Sequence, residues 1–293
     1  MTDHQHDNPQ PHIAVIIPTL TDATPDLLAS IARQHLAPRE IIVVRGVSPN
    51  GKARNHGVAQ TQADWVLFID DDAVLGHADV LGQLYAASQH HHGAVVGSAR
   101  LLPPDAPPFQ RHVAAQVARI EHPVVDHDTA TPPVAPDFYT TITTTCCGMP
   151  RQLWQALGGF NEQLHRGVDT EFFVRLHRLH PHVAIVQVAH TWVYHPAPAT
   201  FRALWHKQFA YGSGHAQEVR SDPSRARGGN FLHTPLHALI WISVRTLLMP
   251  LHAFVPYSFA DRRWRIGWYP LKALASWASA LGYVSGWYSH EHS

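Results

Sequence analysis

Five apolar residues, Trp65-Val66-Leu67-Phe68-Ile69, run directly into three carboxylates, Asp70-Asp71-Asp72. The run reads as a strand. Ending it in three acids crowds negative charge into one small volume, where each carboxylate raises its neighbours' pKa unless a cation sits among them. Taken alone, the triplet has a second reading as a solvated turn or a helix cap before Ala73-Val74-Leu75, because Asp is a good N-cap. The neighbouring elements separate the two.

Ile13-Ala14-Val15-Ile16-Ile17 is a β-branched run closed by Pro18-Thr19 and predicts a buried first strand. A helix is expected from Asp26 to His35, stopped by Pro38, and then a strand from Glu40 to Val44. The turn-rich stretch from Arg45 to Gly51 precedes a helix over Lys52 to Gln62, which leads into the strand ending at Asp70. This alternation implies a parallel sheet with right-handed crossovers, whose ligands bind beyond the carboxyl ends of the strands. The loops after Ile17, Val44 and Ile69 fall on that edge. A hard cation such as Mg²⁺ or Mn²⁺ prefers carboxylate oxygens and bridges to substrate phosphates, so it suits acids placed there.

Composition narrows the function classes. Lys plus Arg and Asp plus Glu are both 22, which leaves no overall basic field and argues against nucleic acid as a partner. Cys146 and Cys147 are too few and too close for a disulfide framework and favour a reducing compartment. The polar stretch Met1 to Pro11 lacks the regions of a secretory signal, so a cytosolic body with a disordered N-terminus over residues 1–12 is expected. Among 25 histidines, His90-His91-His92 before Gly93 reads as an exposed helix end, since three consecutive helical side chains cannot converge on one ion.

Prolines 103, 104, 107, 108, 132, 133 and 136 frame a helix over Gln110 to Ile120 in a long excursion across the active face, a candidate acceptor surface. A strand is expected over Tyr139 to Thr145, helices over Arg151 to Leu157 and Asp169 to His180, and a strand from Val183 to Tyr194. Beyond residue 230, Leu236 to Met249 is apolar but interrupted by His237 and Arg245 and closed by Pro250, short of the ~20 apolar residues of a membrane span. Arg262, Arg263 and Arg265 lie among Trp264, Trp268 and Tyr269, and Leu271 to Tyr288 follows with Trp277, Tyr283 and Trp287. Two readings of this tail stay open: peripheral attachment to an anionic membrane face, or packing on the body or another subunit.

Ile16-Ile17-Pro18-Thr19, Ala53-Arg54-Asn55-His56-Gly57, Val66 through Asp72, and Gly158-Gly159-Phe160-Asn161-Glu162 occur in the order seen in family 2 glycosyltransferases, which this chain resembles over roughly residues 13 to 215. The resemblance implies the GT-A fold, a Rossmann-like α/β arrangement with a mixed, mainly parallel sheet flanked by helices. That places a catalytic domain at 13–225 and a C-terminal helical appendage at 226–293. It further implies a nucleotide-sugar donor, a saccharide or lipid-linked acceptor, inversion at the sugar, and a divalent cation.

By the same resemblance, Asp72 and His195 hold the cation, and Pro18, Thr19, Arg54, Asp70 and Asp71 contact the donor. Asp169 is the general base, whose alternative is an N-cap. The family's Glu-Asp pair is Val168-Asp169 here, which leaves Glu171 as a lesser substitute, and His190 competes with His195 from the same strand. The acid that the family carries after its second strand, to bind the nucleobase, is replaced by Arg45-Gly46-Val47-Ser48, and an Arg cannot accept a hydrogen bond. A nucleotidyltransferase would need a Gly-rich phosphate loop and Lys after Pro18, and neither is there. A catalytically inactive GT-A scaffold at a membrane is the alternative outside enzymes, with Val168 in its favour.

Overall fold

The structure is a computed structural model that describes residues 11–117, 120–131, 142–221, 234–255, 257–258, 263–264 and 266–289. The expected disorder of the N-terminus falls almost wholly outside these residues, as do Pro132, Pro133, Pro136, Arg262 and Arg265.

The first half alternates as the sequence predicts. Strand β1 (Ile13–Thr19) is followed by α1 (Pro25–Ala32), β2 (Glu40–Arg45), α2 (Asn50–Ala59) and β3 (Trp65–Ile69). Helix α1 starts where Thr24 accepts a hydrogen bond from the Leu27 N–H and Pro25 supplies a pre-set φ. After β3 come β4 (Val74–Leu75), α3 (Val80–His90), β5 (Val95–Leu101), α4 (Pro108–Gln116) and β6 (Thr129–Thr131). Then follow β7 (Cys146–Pro150), α5 (Arg151–Ala156), α6 (Val168–Leu179), β8 (Ile185–Tyr194) and α7 (Phe201–Ser221). The tail contributes α8 (Pro235–Phe254), a small ribbon of β9 (Tyr257–Ser258) and β10 (Arg263–Trp264), and α9 (Pro270–Tyr288).

The main sheet has the order β2-β1-β3-β7-β5-β8-β4, with β6 paired to β8. Strands β1, β2, β3, β5 and β8 point one way and β4, β6 and β7 the other, so the sheet is mixed with a parallel majority. The period of two along the central strands builds a three-layer body. Ile13, Val15, Ile17, Trp65, Leu67 and Ile69 pack toward α1 and α3. Ala14, Ile16, Val66 and Phe68 pack toward α6, against Phe172, Phe173 and Leu176. Gly57 lets α2 ride close on β1: a Cβ there would lie 2.4 Å from Ile16 Cγ2.

Two expectations are corrected, and one alternative reading falls. The strand expected over Tyr139 to Thr145 is displaced: Thr143–Thr145 make a turn and the strand is β7, while 139–141 lie outside the described residues. A strand extends only as far as its partner, and β7 pairs with β3 from Trp65↔Pro150 to Ile69↔Cys146, where β3 itself ends. Pro250 does not close the tail helix: α8 runs through it to Phe254, with the proline exposed. Strand β8 bulges around His190: Gly97 pairs with Gln187 but Ala99 with Trp192. His190 has φ 54, and its carbonyl accepts a hydrogen bond from His77. Finally, no helix starts after Asp72; β4 follows, so the triplet is not a helix cap. The expected exposed helix end at His90 is present, with left-handed His92 and Gly93 just beyond it.

Candidate active site

The acids sit where β3 ends. Asp70 N–H donates to the Thr145 carbonyl (3.1 Å), Ala73 N–H to the Asp70 carbonyl (3.1 Å), and Thr24 N–H to the Asp71 carbonyl (3.1 Å), so the turn is fixed by its neighbours. From α2, Arg54 reaches up through the core with only 3% of its side chain exposed and donates to Asp70 Oδ1 at 2.7 Å. Its guanidinium lies 5.9 Å from the centre of the Phe160 ring, and its Nε is buried without an acceptor. From the end of β8, His195 Nε2 stands 3.3 Å from Asp72 Oδ1 and 4.0 Å from Asp70 Oδ2.

The electrostatics follow from this crowding. Removal from water raises the Asp72 carboxyl above the usual range although 46% of its side chain still meets solvent; His195 opposes that shift, and Asp70 and Asp71 reinforce it. Burial lowers His195 against the pull of Asp72 and Asp70, favouring the neutral imidazole that can ligate a metal. Among the described residues, no three His, Cys, Asp or Glu side chains form a complete metal cage. Asp72 and His195 form a two-donor half-site. A Mg²⁺ or Mn²⁺ ion held by one or two protein groups together with substrate phosphates and waters fits a half-site of this kind.

Each residue of the α2 motif has its own task. Arg54 enters the site. Asn55 clamps the Gly158–Glu162 loop: its Nδ2 donates to the Phe160 carbonyl (2.8 Å) and Glu162 Oε1 (2.9 Å), and its Oδ1 accepts from Phe160 N–H (2.9 Å). Pro18 and Thr19 are buried at the end of β1 on the same sheet edge, where Thr19 accepts hydrogen bonds from Gly46 N–H and Thr21 N–H. Arg45, standing where an acid was expected, pairs with Asp22 at 2.9 Å and so holds a carboxylate on the loop after β1.

Asp169 lies in the first turn of α6 and is not its cap; Gly167, with φ 75, takes that position. Asp169 has no direct contact with Asp70, Asp72 or His195 in this structure, but its charge bears on Tyr211 of α7. Val168 is buried in the core with Phe160 and Phe172, so position 168 does not face the site. Glu171 is engaged by Arg175 at 2.8 Å, and Arg175 also donates to the Leu157 and Gly159 carbonyls, so the pair ties α6 to the loop after α5.

Sequence reasoning did not single out the cations around the acids. Lys207 on α7 is half-buried; its removal from water lowers its pKa, as do Arg100 and Arg166, while Asp72 and Asp70 raise it. Arg166 lies 5.6 Å from the Tyr211 ring centre. Glu218, buried further along α7, presses on the α6 entrance, since a Cβ on Gly167 would fall 1.4 Å from its Oε1. Within α7, which runs on through Tyr211-Gly212-Ser213-Gly214 to Ser221, Gly214 lets Arg166 approach.

A profile of the family described as "Glycosyltransferase like family 2" matches residues 5–211, more than half of the chain. No curated protein matches. Among solved structures, the mannosyltransferase PcManGT from Pyrobaculum calidifontis, in complex with GDP-Man and Mn²⁺, is similar over 97% of this chain and 89% of its own, with TM-score 0.55 and 11% identity. TarS 1-349 of S. aureus, in complex with UDP-GlcNAc, matches 96% of this chain and 92% of its own at 15% identity with TM-score 0.48.

Proposed function

This chain belongs to the family 2-like glycosyltransferases, and from that premise we propose that it is an inverting, divalent-cation-dependent enzyme. It moves a sugar from a nucleotide-activated donor to an acceptor hydroxyl, in polysaccharide or glycolipid synthesis. The observation that carries this reading is the joint placement of Arg54, Asp70, Asp72 and His195 at one sheet edge.

In this reading Asp72 and neutral His195 hold Mg²⁺ or Mn²⁺. When bound, the ion stabilises negative charge on the departing diphosphate. Arg54 presents a guanidinium whose geometry matches phosphate oxygens, with one buried N–H still lacking an acceptor. Asp70, oriented by Arg54, and Asp71 face the donor's ribose or sugar, and Pro18 and Thr19 form the floor beside the nucleotide. The acceptor oxygen attacks the anomeric carbon as the bond to the diphosphate breaks, and its proton passes to Asp169. One displacement inverts the centre. Val168 packs in the core with Phe160 and Phe172, which supports reading the loss of the family's Glu as a packing change and speaks against the inactive-scaffold alternative.

The catalytic domain spans 13–225 in this proposal, and 226–293 form an appendage on the cytoplasmic face of a membrane, near a saccharide or lipid-linked acceptor. The test is hydrolysis of a panel of nucleotide sugars, GDP-mannose among them, with Mn²⁺ or Mg²⁺ and then with chelator. Cation-dependent turnover of one donor is expected; absence of turnover and of binding across the panel would favour the scaffold.

A further inference from the structure

Helix α8 is built inside out. Toward α9 it turns its one cation, a histidine and its aromatic ring: Arg245 stacks 5.1 Å from the Trp241 ring centre, and Arg245, Met249 and His252 line a small cavity with Ala273, Ser276 and Trp277 of α9. Away from α9 it turns Leu239, Ile240, Val244, Leu247, Leu251 and Phe254, all exposed, with Leu247 at 79%. A helix facing water carries its charges outward and its apolar stripe inward. Here the only Lys, Arg, Asp or Glu of the helix, Arg245, faces in.

The apolar surface does not stop with the helix. The Phe254 and Trp268 rings are 5.0 Å apart, Gly267 N–H donates to the Phe254 carbonyl (2.9 Å), and Ile266 is 90% exposed beside them. The patch is thus continuous from α8 into the segment before α9, well beyond the scattered apolar residues of a water-facing surface.

Charge selects the occupant. Neither α8 nor α9 contains an Asp or Glu, and the sequence running into exposed Ile266 carries Arg262, Arg263 and Arg265. Two copies meeting through this face would bring like-charged rims together, while an anionic lipid surface complements them.

The apolar run read from the sequence as too short for a span is corrected here, since Leu236–Phe254 is long and apolar enough to cross a membrane, and 20 helical residues reach about 30 Å, the thickness of a hydrocarbon core. Packing argues otherwise. Helix α9 lies between α8 and α7, and α9 meets α7 backbone to backbone, where a Cβ on Gly212 would fall 1.9 Å from the Ser279 carbonyl oxygen and one on Gly282 2.0 Å from that of Phe209. A helix held along one side by the catalytic body has one face left for lipid. We propose that α8 lies in the plane of an anionic bilayer surface, its Leu239–Phe254 face sunk among the acyl chains and the segment of Ile266 and Trp268 beside it. This deepens the membrane contact of the function proposed above and rests on that reading only for the acceptor's chemistry. Because α7 carries Lys207 and Tyr211, the lipid-bound surface and the site belong to one packed unit.

The test uses the full chain and two vesicle preparations, pure phosphatidylcholine and phosphatidylcholine with phosphatidylglycerol, in flotation. The wild-type protein floats with the anionic vesicles and less with the neutral ones. The double variant Leu247→Glu with Leu251→Glu, altered only at exposed positions, loses partition by more than about tenfold, since burial of two leucines is removed. Donor hydrolysis in solution by both proteins reports the glycosyltransferase reading separately, and retained hydrolysis in the variant certifies its fold. Wild-type protein that stays in the soluble fraction with both preparations overturns the proposal. So does a variant that floats like wild type, or a solution dimer that the variant dissolves.

Discussion

At the carboxyl edge of the sheet, charges are gathered and paired: Arg54 with Asp70, His195 with Asp72, and Lys207 beside them under partial burial. In the α7–α9 pack the arrangement is reversed, with small residues at the helix crossings, polar groups turned inward on α8, and apolar side chains outside. Both regions place groups against their ordinary preference. The first concentrates charge where water is scarce, which strengthens its interaction with an anionic ligand. The second exposes hydrocarbon where water is abundant, which is stable only if something apolar covers it.

Substitutions in the two regions should differ in kind, beginning with the largest effect. Asp169→Asn is expected to lower transfer by about 10² to 10⁴ while donor binding persists, because a positioned base contributes that much to rate. Steady-state transfer alongside donor-binding calorimetry checks it; near wild-type transfer would remove Asp169 as base. Arg54→Ala should cost about 3 kcal/mol of stability in urea unfolding, at the low end for a broken buried pair because Asp70 is partly solvated. If Arg54→Ala unfolds at the wild-type midpoint, the buried pair is not what holds this edge.

Gly282→Leu probes the other region. Its Cβ would meet the Phe209 carbonyl oxygen at 2.0 Å, so α7 and α9 must part, at a cost of about 1–3 kcal/mol. Transfer should fall with it, because α7 carries Lys207 and Tyr211 toward the site; unchanged transfer would show that the tail and the site are uncoupled. The smallest effect belongs to Leu247→Glu alone, which in solution should shift stability by no more than about 0.5 kcal/mol, as expected of an exposed position. A large loss there would mean that the outward face of α8 is covered in the free protein.

Much of the sheet edge was legible because its signals are local. Short apolar and β-branched runs placed β1, β2 and β3, and Pro18, Arg54, Asp70 and Asp72 lie at fixed offsets from them. Asn55 and Gly57 were legible as motif letters, but their tasks, clamping the Phe160 loop and admitting Ile16, appear only across distant elements. The return of the chain was misplaced at Tyr139 to Thr145 because a β-branched run has strand propensity wherever it lies, while register is decided by the partner strand. Arg100, Lys207 and Glu218 carry no local mark. On a strand or helix they look like any surface charge until folding brings them beside Asp70, Asp72 or Gly167.

By itself the sequence determined the alternating core, the acids at the end of β3 and an apolar tail, since these depend on residue type and on periods of two and 3.6 along the chain. Only the tertiary structure decided that His195 meets Asp72, that Val168 is core, that Arg45 pairs with Asp22, and which face of α8 is left outward. Those outcomes are set by contacts between residues far apart in the chain. A spacing can place a side chain on one element, but what lies opposite it is fixed only when the elements pack.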